Sequence, residues 1–166
     1  MKNDGLVIRL GRPEDIDEMV ELALAASEEN GFVTPNPQKL RNEIWPALNQ
    51  VYGMVGIIGK PNGPAEGGIL LRIGAMWYSD QLVLEEKAVF IHPDYRAAKG
   101  GRPRRLCQFA RQAADILDLP LMIGVLSDQR TDAKVRMYER EFGKPSGAFF
   151  LYKARTGNYE GHGKAN

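Results

Sequence analysis

The segment HPDYRAAKGGRPRRL, residues 92–106, carries more structural instruction than any other part of the chain. It follows the apolar run "AVFI", sets two glycines among basic residues, and places Pro103 at the head of a helical pattern. Proline at a first helical position loses no hydrogen bond, because the N–H it lacks would be unpaired there anyway. Leu106, Phe109, Ala110, Ala113 and Leu117 then recur on one face of that helix. Strand, glycine loop and helix start together make a backbone anion site. N–H groups at a helix N-terminus point outward, and glycine lets a ligand approach closely. Arg96, Lys99 and Arg102 add positive charge around the same point. A solvated basic loop is the plainer alternative.

Outward from this loop, strands and helices alternate. "LVIRL" reads as a strand, and Pro13 opens a first helix with Ile16, Met19, Val20, Ala23 and Leu24 as its buried stripe. Leu40, Ile44 and Leu48 mark a second helix. "VYGMVGIIG", "GGILLRIGAMWY" and "LVLEEKAVFI" form a three-strand meander leading into the loop. After the Pro103 helix, "LPLMIGVL" reads as a central apolar strand. Thr131 caps a last helix with Val135, Tyr138 and Phe142 on one face, and "GAFFLYKA" closes the sheet. The expectation is an α+β, three-layer sandwich of helices on a mixed, mostly antiparallel sheet. One domain covers residues 1–154, and 155–166 form a flexible tail.

Composition narrows the function. The formal net charge of +1 advertises neither nucleic acid nor membrane, although six basic residues and no acid lie between Arg96 and Arg111. That cluster keeps nucleic-acid binding as a minor reading. Eight acids between Asp4 and Asn30 could attract a cationic partner, or could simply be solvated. One cysteine, Cys107, allows no internal disulfide, and two histidines make a metal site unexpected. With no leader-like or membrane-spanning stretch, a cytoplasmic protein is expected. "GMVGIIGKP" has the wrong spacing for a P-loop, with Pro61 where Ser or Thr should follow the lysine.

Loop and element order together resemble the GNAT superfamily of acyl-CoA-dependent N-acyltransferases. The family's R/Q-x-x-G-x-G/A loop is matched by Arg96-Ala97-Ala98-Lys99-Gly100-Gly101, preceded by "VFIHPDY". Its strand followed by an N-x-x-A-x-x-x-Y helix is matched by "LMIGVL" and Thr131-x-x-Lys134-x-x-x-Tyr138, and "MYEREFG" is similar to a further block. The resemblance runs from about Leu6 to Lys153 and looks most like a phage- or prophage-type branch. Departures are Lys99 for glycine, Thr131 for asparagine and Lys134 for alanine. Lys99 is harmless only if its φ suits a non-glycine residue.

The resemblance implies a sheet splayed between its fourth and fifth strands and an acyl-CoA, most simply acetyl-CoA, as co-substrate without a metal. The pyrophosphate would sit on N–H groups from Ala97 to Arg102. The pantetheine would run along Val89, Phe90 and Ile91, near a family bulge that opens the acyl slot, with Thr131 and Lys134 completing the cofactor site. Tyr138 would protonate the departing thiolate, though it could equally be a core tyrosine. Glu85 or Glu86 would serve as base, and strict alternation along the strand puts Glu85 on the side of Val89 and Ile91. Trp45, Trp77 and Tyr78 are core residues or line an acceptor pocket. The partners implied are acyl-CoA and an amine, with the chain a monomer or homodimer. The alternative is a non-catalytic acyl-CoA-binding module of the same fold.

Overall fold

The computed structural model describes residues 5–30, 33–126, 131–150 and 152. Its elements run β1 (Val7–Leu10), α1 (Ile16–Asn30), α2 (Pro37–Leu48), β2 (Gly53–Gly59), β3 (Ala65–Ala75), β4 (Leu82–Ile91), α3 (Arg102–Leu117), β5 (Leu121–Met122) and α4 (Thr131–Phe142). The strands stand in chain order, antiparallel from β1 to β4, with β5 parallel to β4. The expected boundary at residue 154 and the tail beyond it lie outside the described residues.

Alternation within the strands divides the core into two. Val55, Ile57, Leu70 and Phe90 face α1 and α2, where Met19, Ala23, Ile44 and Leu48 meet them. Ile58, Ile69, Leu71 and Leu84 face α3, packing on Leu106, Ala110 and Ala113. Three layers result, helix on sheet on helix. Each of the larger side chains among them contributes about 1.5–3 kcal/mol when fully buried.

Two bulges break the ladder. On β3, Ile58 pairs with Gly67 and Gly59 with Ala65, so Glu66 is the extra residue. On β4, Leu70 pairs with Ala88 and Leu71 with Glu86, which leaves Lys87 unopposed. A bulge reverses the in-out phase of everything beyond it.

The first turn of the Pro13 helix is 3-10, and α1 proper starts at Ile16. The Asp15 carboxylate accepts from the Arg12 N–H at 2.7 Å and pairs bidentately with Arg9 at 2.7 and 2.8 Å. Two other expectations are corrected. "LPLMIGVL" is not a central strand. Only Leu121 and Met122 pair, with Leu84 and Glu85, and the chain then leaves the sheet with Leu126 half exposed. The closing strand is also missing over its described part: Gly147–Phe150 carries no ladder, and Phe149 and Phe150 are exposed. Apolar, strand-favouring residues make a strand only where an edge receives them. Beyond Glu85, β4 diverges from β5 and offers none.

Candidate functional site

The divergence of β4 from β5 is the centre of the site. Pairing stops at Glu85 and Met122, and the carboxylate of the next residue, Glu86, reaches across to accept from the Gly124 N–H at 3.3 Å. Register fixes its direction. Glu86 stands opposite Leu71, on the α3 side with Leu84, Val89 and Ile91. The expectation that Glu85 shares the face of Val89 and Ile91 is therefore corrected, because the extra Lys87 shifts the phase. Glu85 turns to the other side and pairs with Lys87 at 2.7 Å.

Around Glu86 the face is completed by two more side chains. Cys107 of α3 is fully buried. Tyr138 of α4 is half-buried, edge-on to Phe142, with its hydroxyl hydrogen-bonded to the Cys107 sulfur. Burial drives every member toward its neutral form. The Glu86 carboxyl is pushed up to about 7, mainly by desolvation and secondarily by Glu85, while the Gly124 N–H, Lys134 and Lys87 oppose the rise. The Cys107 thiol is pushed up to about 12 by burial and by Glu86, and Tyr138 rises far above the usual phenol range for the same two reasons. The phenol and thiol stay protonated through neutral pH, whereas Glu86 changes charge there.

At the far end of β4, His92 caps a short 3-10 turn over Pro93–Tyr95 and the loop follows. Gly100 and Gly101 have φ of 121° and 59°, and Gly101 in the left-handed region is the cap of α3. Lys99 does not have positive φ, so a lysine there costs nothing that glycine would save. The N–H groups of Lys99, Gly100 and Gly101 have no acceptor among the described residues. A Cβ built at Gly101 would meet nothing within 4 Å, so the space beside that residue is open. Unpaired donors at a helix start are suited to holding an anion.

The loop's arginines are used differently from the expectation. Arg102 is buried, and its Nε donates to Glu66 Oε2 at 2.6 Å. Its Nη2 also meets Glu66, its Nη1 donates to Lys99 O at 2.8 Å, and the guanidinium lies 5.1 Å from the Tyr95 ring centroid. It is thus a brace inside the loop rather than a side chain free to meet a phosphate. Arg96 Nε donates to Ile91 O at 3.1 Å, Arg104 pairs with Glu141, and Arg105 donates to Leu6 O. With four of the six cations of the basic stripe bound to the fold, the nucleic-acid reading loses its support.

Of the remaining expected residues, Ala97, Ala98 and Lys99 are exposed in the loop, and Val89 and Phe90 are committed to the core. Thr131 begins α4, with Lys134 exposed one turn before Tyr138. Trp77, Tyr78 and Trp45 are not core residues, and the first two stack edge to face on the β3–β4 turn. Three of the acids near the start of α1 are occupied: Asp15 by Arg9, Asp17 by Arg41, and Glu18 by the Ala65 N–H. Glu66 and the Gly124 N–H were not foreseen. A lone acid in the apolar run "AEGGILL" was the one sequence signal for a buried partner to a loop arginine. Among the described residues there is no three-residue cluster able to hold a metal ion and no helix long and apolar enough to cross a membrane.

No family model and no curated protein matches the chain, and the expected phage- or prophage-type branch finds no support. Solved structures do match. AAC(6')-Iy, in complex with the bisubstrate analog CoA-S-monomethyl-acetylneamine, superposes with a TM-score of 0.64 at 15% identity, over 91% of this chain and 99% of that one. An aminoglycoside acetyltransferase from an uncultured soil metagenome gives 0.63 at 17% identity, over 93% and 100%. An acetyltransferase from Trypanosoma brucei gives 0.63 at 17%, over 89% and 98%. Over the described residues the architecture, an open five-stranded mixed sheet with four helices, is the GNAT acetyltransferase fold.

Proposed function

We propose that the protein is an acyl-CoA-dependent N-acyltransferase that moves an acyl group, most simply acetyl, to a primary amine. The observation that carries this reading is the meeting of Glu86 and Tyr138 on one side of the sheet where β4 parts from β5. The outward N–H groups of the loop lie at the end of the same strand.

In this reading Lys99, Gly100, Gly101 and Arg102 hold the diphosphate through backbone N–H groups, and Arg102 keeps the loop in shape from below. The thioester lies in the gap beside Glu86, Val89 and Ile91. An amine must lose protons to form an amide, and Glu86 is the acceptor whose charge changes at the right pH: at about 7 it is half ionised in neutral solution. As the C–S bond breaks, the sulfur gains charge and leaves as a thiol. Tyr138 gives the sulfur a hydrogen bond and a proton while taking one from the Glu86 carboxyl, which holds the proton lost by the amine, so no phenolate is left behind. To do so the phenol turns from one sulfur, that of Cys107, to another. In the same reading Lys134 meets a phosphate oxygen of the nucleotide, with Thr131 at the head of its helix. Aminoglycoside acetyltransferases share the fold, which favours an amine-bearing acceptor.

The test is thiol release from acetyl-CoA across a panel of primary amines. Turnover is expected with at least one, falling about 10²-fold or more in Tyr138→Phe. Binding of coenzyme A by calorimetry with no turnover on any amine would instead make the chain a binding module. Absence of both would overturn the assignment.

A further inference from the structure

A second cavity lies away from this site, on the opposite flank of α3. Cys107 points toward Tyr138, whereas Phe109, two residues and roughly 200° further round the helix, lies over Gly56 of β2. Behind Phe109 is a groove of about 690 Å³, floored by Met54, Ile73 and Ala113 and walled by the last turns of α3 and the α2–β2 loop. Its centre is about 20 Å along α3 from the N–H loop, at ~1.5 Å per residue. It is not part of the acyl slot.

Three features say what it would hold. None of its lining residues is acidic, basic or a histidine. A charged ligand would lose its hydration there and gain no counter-charge. Two side-chain amides, Gln50 and Gln112, stand at the edge, and neither has a hydrogen-bond partner among the described residues. An apolar cavity of a few hundred Å³ with a small number of converging polar groups is the usual form of a small-molecule site. The wall is also built with strain. Gln50 and Tyr52 have φ of 56° and 51°, two of the four non-glycine residues in the left-handed region among the described residues. Val51 N–H to Pro46 O and Ile73 N–H to Tyr52 O, both 2.8 Å, hold the loop in that shape. Strained backbone kept in place at a cavity mouth is characteristic of ligand clamps.

We infer that this groove binds an uncharged, mainly apolar small molecule carrying one or two groups able to hydrogen-bond the Gln50 and Gln112 amides. The ligand is distinct from the acyl donor, and the inference stands whether or not the protein transfers acyl groups. The probe is N-phenyl-1-naphthylamine, an uncharged aromatic amine that fluoresces when removed from water. Titrated into the full chain it should bind saturably, one per chain, and coenzyme A should not displace it. Gln112→Glu places a charge at an exposed position of the groove without changing side-chain size, and should weaken binding at least ten-fold with an unchanged melting temperature. Gln81→Glu, on the β3–β4 turn, should leave binding as it is. Unsaturable binding, equal affinity in Gln112→Glu, or displacement by coenzyme A would overturn the inference. So would a dimer in sedimentation that Ile116→Arg converts to monomer, because a second copy would then fill the groove.

Discussion

Two glutamates, each set by a β-bulge, meet opposite environments. Glu66 is the extra residue of the β3 bulge and finds the Arg102 guanidinium, buried with it and hydrogen-bonded. Glu86 immediately precedes the β4 bulge and finds a backbone N–H, a phenol and a thiol. In the first case a full counter-charge compensates burial and the pair braces the phosphate loop. In the second, burial outweighs the distant lysines and the carboxyl titrates at about 7. A partnered buried carboxylate is structure; one left short of counter-charge is available for proton transfer.

Substitutions can separate these roles. Glu86→Gln should lower acyl-transfer turnover by about 10²–10⁴-fold, read from thiol release, while leaving coenzyme A affinity nearly unchanged. Removing one partner of the other pair, as in Glu66→Ala, strands a buried guanidinium. It should cost about 3–5 kcal/mol of stability in denaturant melts and loosen coenzyme A binding through the loop. Gly101→Ala keeps the space but forces a side chain to φ near 59°, at about 1–2 kcal/mol, and should weaken coenzyme A binding more than turnover.

The smallest effect is a pH-dependent one on stability. The folded pKa of Glu86 lies above its ordinary value of 4.5, so its protonated form favours the fold. That contribution is complete below about 4.5 and is lost as pH rises through about 7. Glu86→Gln should therefore melt higher than the parent at pH 8, with the gain vanishing at pH 5. An equal difference at both values would remove the titration from the account.

Much of the scaffold was legible in the sequence because its signals are local. Pro103 and the apolar stripe after it give α3, and the three alternating runs give β2, β3 and β4. What escaped depends on contacts distant in sequence. Nothing in "LVLEEKAVFI" marks Lys87 as an extra residue, so counting by twos put Glu85 where Glu86 stands. "LPLMIGVL" and "GAFF" have strand-like composition, but pairing needs an accepting edge, and β4 turns away after Glu85. Arg102 looked like a phosphate ligand because a lone acid in an apolar run, Glu66, does not say which distant cation will claim it. The loop glycines read as letting a ligand approach closely, and the left-handed cap that Gly101 makes uses the same freedom of residue type.

The central claim is that Glu86, at the parting of β4 and β5, is the proton acceptor of the reaction. The most direct measurement is the pH dependence of kcat/KM for the parent and Glu86→Gln with the same acetyl-CoA and amine pair. The parent should show an acid limb with a midpoint near 7, and the variant should lose that limb and retain only the titration of the amine. Superimposable profiles, or a parent midpoint in the ordinary carboxylate range, would contradict the claim.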